Sequence, residues 1–377
     1  MAEGQENARW TESPAIVVDN GTGVFKAGFS GEERPSVRLP SLVGVPKKTG
    51  GDMVIGNDLF TQQGQLMGQK VVRLVNPMTR GVISDWDALE ALWNHVFSVQ
   101  MAVSPAEHPL MMADPPLNPT TNREKMAELA FETFDVPSMH VAYQPVLSLY
   151  SSGRIVGTVI EAGSGMCSCT PCYHGYTLPH ATCRLDVAGH DLDKFLLRLL
   201  RAAGHALGDE DLWLVKNIKE KCCYVVQDVK VAEPGRHERV QFKLPDGQTI
   251  HLNKECFICP EALFQPEYVG CTIAGLPQLF DTCMRQCDVT VVQPLMENVV
   301  LCGGSTLLKG YPERLADDIW RLSGDPAHLK TILHPEAENA VWQGGSILAS
   351  LRAFQPLWVH RQEYHESGPF VVHRKCY

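Results

Sequence analysis

The sequence predicts an α/β protein built as two related halves, and three features carry that expectation. A run of β-branched and small apolar residues twice ends in an acid and a glycine–hydroxyl–glycine turn. The first is Ile16-Val17-Val18 into Asp19-Asn20-Gly21-Thr22-Gly23, and the second is Thr158-Val159-Ile160 into Glu161-Ala162-Gly163-Ser164-Gly165. Helical stripes are mixed with strand runs along the chain, as in layered α/β folds. At 377 residues the chain also exceeds the size at which a single core usually keeps growing.

Taken in order, the segment Met1 to Glu12 is polar and lacks the apolar core of a signal peptide. Each glycine turn follows a strand run, and Phe25 to Phe29 reads as the return strand of the first. Glycines allow positive φ and bring bare backbone N–H groups close to a ligand. Converging N–H groups make an anion nest, so the paired turns predict two half-molecules clamping one polyphosphate. Lys26 lies three residues past Gly23, where a strand reversal would aim its ammonium at phosphate oxygens; a solvated surface lysine stays open as the alternative. Lys47 to Gly68 has weak periodicity and is expected to be a mobile surface excursion.

Helical spacing then takes over. Leu89, Leu92, Trp93, Val96 and Phe97 form one apolar stripe, with Ser84 or Asp85 as its cap. Thr121-x-x-Glu124 reads as a capping box leading into Met126, Leu129, Ala130, Phe131 and Phe134. Leu192, Phe195, Leu196, Leu199 and Leu200 make another stripe that stops near Gly204, and Leu212, Val215, Ile218 and Cys222 the next. A third glycine turn, Cys302-Gly303-Gly304-Ser305-Thr306, follows the run Asn298 to Leu301 and is expected to close over an adenosine group.

Composition narrows the function. The chain is 44% hydrophobic and 20% charged, as in a folded globular protein. A formal net charge of −10 disfavours nucleic acid as a general partner. No apolar run reaches the ~18 residues of a membrane span, so a soluble intracellular protein is expected. The thirteen cysteines are scattered through apolar segments, which fits reduced thiols. Cys256-x-x-Cys259 with Cys283 and Cys287 is loosely zinc-like, but the second pair has the wrong spacing, and buried thiols are favoured.

Asp19-Asn20-Gly21-Thr22-Gly23 followed by Lys26-Ala27-Gly28-Phe29 resembles the first phosphate loop of the actin family. So do Pro116-Leu117-Asn118-Pro119 with Asn122-Arg123-Glu124-Lys125-Met126, Leu178-Pro179-His180-Ala181, Leu263-Phe264-Gln265-Pro266, and Gly344 to Leu351 after Trp342. The likeness runs from about Ile16 to the terminal His373-Arg374-Lys375-Cys376-Tyr377. It implies an actin-like ATPase fold: two related α/β domains, four subdomains in all, around a central nucleotide cleft. By the resemblance, subdomain 1 is 15–40, 77–151 and 340–377, subdomain 2 is 41–76, subdomain 3 is 152–187 and 272–339, and subdomain 4 is 188–271. ATP or ADP with Mg is the implied cofactor. Asp19, Gly21, Thr22, Gly23 and Lys26 map to the first phosphate loop, and Gly163, Ser164 and Gly165 to the second. Gly189, Asp191, Lys219 and Glu220 map to the ribose side, and Gly303, Gly304 and Ser305 to the adenosine loop. Asp19 is the implied water-mediated metal contact, and Gln144 the residue that positions attacking water.

The departures shape the functional expectation. Glu161 and Ser164 stand where actins have Asp, Ser168 where they have His, Glu338 where they have Lys, and Arg80 where they have His. Pro145 follows Gln144 in place of a small residue. Water attack on a γ-phosphate needs an aligned nucleophile and metal-supported charge, so turnover is expected to be weak. The Pro46 to Pro77 region is redistributed in length, which puts ordinary self-assembly in doubt. The leading expectation is a structural protein acting through protein contacts. A polymerising ATPase is the alternative, and a kinase of the wider superfamily a third, disfavoured by the actin-type matches outside the loops. The resemblance further implies cytoskeletal or actin-binding protein partners and no nucleic acid. It suggests a cytoplasmic, cytoskeletal setting, male germ cells among the candidates, with nuclear-remodelling or dynein-activator complexes left open. One partner is expected to insert a helix into a groove lined by Tyr150, Ile347, Leu348, Leu351 and Leu357; for Ile347 and Leu348 a core-facing position stays open as the alternative.

Overall fold

The computed structural model describes residues 13–47, 53–59, 72–229, 240–245, 247–323 and 329–376. Its organising strand, Ile16–Asn20, is buried along its whole length, as its β-branched residues suit. It pairs antiparallel with Val24–Phe29 and parallel with Leu110–Asp114. Ser138–Tyr143 extends the parallel side, Val37–Pro40 adds to the hairpin, and Val359–His360 closes the far edge, giving six strands.

The second sheet repeats this plan. Gly157–Ala162 pairs antiparallel with Cys167–Tyr173 and parallel with Val299–Cys302, which pairs parallel with Thr331–Leu333. In each sheet a hairpin strand is flanked on its other side by two successive parallel strands. The two glycine turns therefore occupy equivalent positions in two copies of one topology. Separate apolar cores lie under the two sheets.

The helices follow the predicted stripes with one exception. Trp86–His95 is capped by Asp85, whose side chain accepts from the Ala88 N–H at 3.0 Å, and it buries Leu89, Leu92 and Trp93. The Val96–Gln100 segment continues it as a wider π turn. Gly189–Ala202 ends just before Gly204, which has φ +94°, and Leu212–Cys222 buries Val215, Ile218 and Cys222. The capping box at Thr121 does not form. The helix begins at Thr120 after Pro119, with no side-chain cap, because proline already presets the chain direction. Glu124 instead bonds His373 near the C-terminus at 2.8 Å.

The expected excursion from Lys47 to Gly68 contains structure. Val54–Ile55 pairs with Val43–Pro46, which also pairs with Val72–Val75, and Leu59 is buried. The rest of that expectation, at 48–52 and 60–68, lies outside the described residues.

Two helices join the halves. Ala340–Ser350 lies so close to Gln144–Ser151 that a Cβ on Gly344 would sit 1.8 Å from the Leu147 carbonyl oxygen. Residues 334–339 thus cross from the second sheet to a helix packed on the first. Near the C-terminus, Arg123 donates to Asp114 at 2.7 Å and to the Cys376 carbonyl at 2.7 Å. The Cys376 thiol is buried beside His140, Sγ to Nδ1 3.6 Å. All thirteen cysteines are free thiols, and each is buried or half-buried.

Candidate nucleotide site

The two glycine turns interlock face to face. A Cβ on Gly23 would meet the Ser164 Cβ at 2.6 Å, and one on Gly165 would meet the Thr22 Oγ1 at 2.4 Å. Each hydroxyl residue fills the space that the opposite glycine leaves. One of the two predicted reasons for these glycines fails: Gly21, Gly23, Gly163 and Gly165 do not adopt positive φ, and Gly23 and Gly165 also serve the close approach of the two turns. Gly303 does take a left-handed φ of +88°, and its Cβ position lies 2.4 Å from the Ala162 carbonyl oxygen.

Between the turns opens a cavity of about 550 Å³, within the range of small-molecule and cofactor sites. All three glycine turns line it, with Asp19, Lys26, Gln144, Gly189, Lys219 and Glu220. Asp191 is the exception among the expected contacts. Its Oδ2 accepts from the Ala188 N–H at 3.0 Å at the start of the Gly189–Ala202 helix, and Oδ1 accepts from Arg80 at 3.4 Å. The helix cap turns it toward an adjoining cavity of about 460 Å³.

Lys26 is not a solvated surface residue. It is buried, faces Asp19 across the hairpin register, and its Nζ donates to Asp19 Oδ2 at 2.7 Å. Gln144 approaches the other oxygen of the same carboxylate, Nε2 to Oδ1 3.4 Å. Pro145 falls in the first turn of the Gln144–Ser151 helix, where a missing N–H does no harm.

Glu161 lies directly across the second hairpin from Ser168. Its Oε2 and the Ser168 Oγ are both enclosed without a hydrogen-bond partner. Burial, reinforced by the nearby Asp19 charge and opposed by Lys26, pushes the Glu161 carboxyl up to about 7.

Glu338, which stands where actins have Lys, is not an isolated negative charge. Arg38 donates to it, Nη1 to Oε1 2.9 Å, and both residues line the cavity. That pairing holds the Glu338 carboxyl below the usual carboxylate range. Arg38 escaped the sequence reading, although strand periodicity carried the signal: it sits opposite Lys26 in the Val37–Pro40 strand. Lys216, another wall residue, was missed because it sits among the apolar positions of a stripe read only for its core face. Arg80, with a left-handed φ of +50°, reaches the Asp186 carbonyl, and Arg184 donates back to the Arg80 carbonyl at 2.6 Å.

These residues fit a nucleoside polyphosphate better than they fit its metal. The glycine turns and the ammonium groups of Lys26, Lys216 and Lys219 suit anionic oxygens, although Lys26 is paired with Asp19, Lys219 with Asp193 at 2.7 Å, and the Gly21, Gly163 and Gly303 N–H groups already donate to backbone carbonyls. Asp19, Gln144 and Glu161 offer the oxygen donors a hard cation prefers, but Asp19 is already engaged by Lys26. Among the described residues, no group of three or more histidine, cysteine or acidic side chains converges as a metal site.

The actin family model matches residues 10–207 and 209–377. Actin-like protein 7A from Bos taurus is 43% identical over 374 residues, covering 96% of this chain and 83% of that protein. The Rattus norvegicus form is 42% identical, covering 100% and 86%, and actin-like protein 9 from Bos taurus is 42% identical, covering 96% and 88%. The chain belongs to the actin family.

It is a divergent, actin-related member, and the duplicated sheets are the family's mixed α/β fold. The groove expected from other actins is only partly laid out as predicted. Ile347, Leu351 and Leu357 are exposed, and Tyr150 is half-buried. Leu348 instead packs inward against the core beside Trp342 and Phe354. The helix ends at Ser350, so Leu351 stands at its cap in an extended conformation and does not share a helical face with Ile347 and Leu348. No helix among the described residues is long and apolar enough to cross a membrane.

Proposed function

We propose that this actin-related chain is a structural protein that holds ATP or ADP in its cleft and works through contacts with other proteins. The observation that carries the reading is the contrast between its two phosphate loops. The first keeps an acid, Asp19, bonded through one oxygen to Lys26 and through the other to Gln144. In the second, Glu161 and Ser168 replace groups of the resembling family and leave buried atoms unpartnered. Binding needs the backbone cradle, whereas hydrolysis needs an ordered polar cage around metal and water. Bound Mg would supply charge neutralisation at the phosphates, with Asp19 as the residue that would hold it through water and Gln144 as the one that would position attacking water. The four subdomain boundaries given above, weak self-assembly and a cytoskeletal setting, male germ cells included, belong to the same proposal.

Denaturing the purified protein and chromatographing the supernatant tests the bound nucleotide; we expect ATP or ADP in near-stoichiometric amount. Steady-state phosphate release, run beside a conventional actin, tests the turnover. It should be far slower, and an actin-like rate would overturn the degenerate-site reading.

A further inference from the structure

We propose that two arginine–glutamate rungs form a clasp that pins the crossing segment 334–339 to the first half and so sets how fast the cleft releases its ligand. Arg38 bonds Glu338 at 2.9 Å, and Arg34 Nε bonds Glu336 at 2.6 Å. Arg34 and Arg38 belong to the stretch between the hairpin strand Val24–Phe29 and the end of Val37–Pro40. Glu336 and Glu338 lie just beyond the second-sheet strand Thr331–Leu333 and just before the helix Ala340–Ser350. Chain passing from one half to the other must bend when the cleft opens, and both rungs hold this bend from the same side.

The clasp is more than two loose surface pairs. Glu336 also accepts from Asn339 Nδ2 at 3.0 Å and from Gln343 Nε2 at 3.4 Å. The same Gln343 amide donates to the Glu33 carbonyl at 2.9 Å, which ties the arginine-bearing stretch to the helix as well. Exposed pairs contribute little to overall stability when taken singly. Their position on a hinge makes their effect kinetic: every opening that separates the stretch from the crossing segment breaks both rungs together. Because these side chains are partly exposed, salt should loosen the clasp.

The inference rests on the proposed nucleotide binding, and the test separates the two. Arg34 and Glu336 do not line the cavity. The variants are therefore Arg34→Glu, Glu336→Arg, the double exchange, and the milder Arg34→Gln, each checked for folding by circular dichroism. Release of a fluorescent ATP analogue, chased with excess ATP, should quicken at least threefold in each single variant. It should return to within twofold of wild type in the double exchange, and raised salt should narrow the gap. Hydrogen exchange of 334–339 without nucleotide should show the same order. If the wild type binds no analogue, the nucleotide reading fails, and hydrogen exchange alone decides the clasp. Unchanged exchange and release in folded single variants would overturn it, as would a double exchange that fails to recover.

Discussion

Glu161 shows what burial beside a second acid does to a carboxyl. Its folded carboxyl titrates near 7, above its ordinary value of 4.5, so the folded state holds the proton more tightly than the unfolded chain. Stability contributed by this group is therefore full below pH 4.5 and is lost as pH rises to about 7, by roughly 3 kcal/mol for such a shift. Glu161→Gln should remove that slope: urea melts should find the variant little changed at pH 4.5 and more stable than wild type at pH 8. A parallel pH dependence in both proteins would show that Glu161 is not the titrating group. The interlocked turns make a second prediction at this scale. Gly165→Ala places a methyl against Thr22, and overpacking of that kind costs about 1–3 kcal/mol. Chemical denaturation should register the loss, together with weaker nucleotide binding. The sequence revealed that these glycines mattered, but not why. The two turns, 142 residues apart, were expected to face one ligand, but the packing of Ser164 on Gly23 and of Thr22 on Gly165 is a tertiary fact that local spacing does not carry.

At the scale of elements, apolar periodicity located the helices well because core burial enforces it. Leu89, Leu92 and Trp93 are all fully buried, as their stripe requires. End signals were less dependable: Asp85 caps its helix, whereas the Thr121-x-x-Glu124 pattern was pre-empted by Pro119 and by the pull of His373 on Glu124. Asp85→Ala should lower stability by about 1 kcal/mol, the usual cost of a lost N-cap, which thermal or urea melts can resolve. The C-terminal end of the Ala340–Ser350 helix carries the functional prediction. Ile347, Leu351 and Leu357 present apolar surface there, with Tyr150 half-buried on another helix. An amphipathic helix is the natural occupant of an apolar groove. Leu351→Asp should reduce recovery of such a partner in a pull-down while circular dichroism stays unchanged. Full recovery with a folded variant would move the binding surface elsewhere.

At the scale of the molecule, the repeated turn foretold a repeated sheet, and nearly all the expected nucleotide contacts converge on one cavity. Two of the misses, Asp191 and Arg38, have separate structural causes. One was drawn away by a helix cap and the other was recruited by a glutamate 300 residues distant. A ligand bridging both halves stabilises the folded state by mass action, about 2.7 kcal/mol at a hundredfold excess over Kd. Saturating ATP should therefore raise the melting temperature, and Lys26→Ala should weaken binding by at least tenfold and shrink that rise, since a charge-assisted contact is worth about 1.5–3 kcal/mol. Scanning calorimetry with and without ATP reads both effects, and an unchanged wild-type midpoint would mark the cleft as vestigial.

The burial of the thiols gives this molecule its own unfolding reporters. Twelve of the thirteen cysteines fall between Cys167 and Cys302, on the side of the second sheet, and only Cys376 packs into the core of the first. An alkylating reagent followed by peptide mass spectrometry would thus time the two halves separately in one untagged sample. Cys376 would report when the first half opens, and the others when the second does. Cooperative unfolding would bring the ten buried thiols into reaction together, while loss of the second half alone would leave Cys376 as the last protected sulfur.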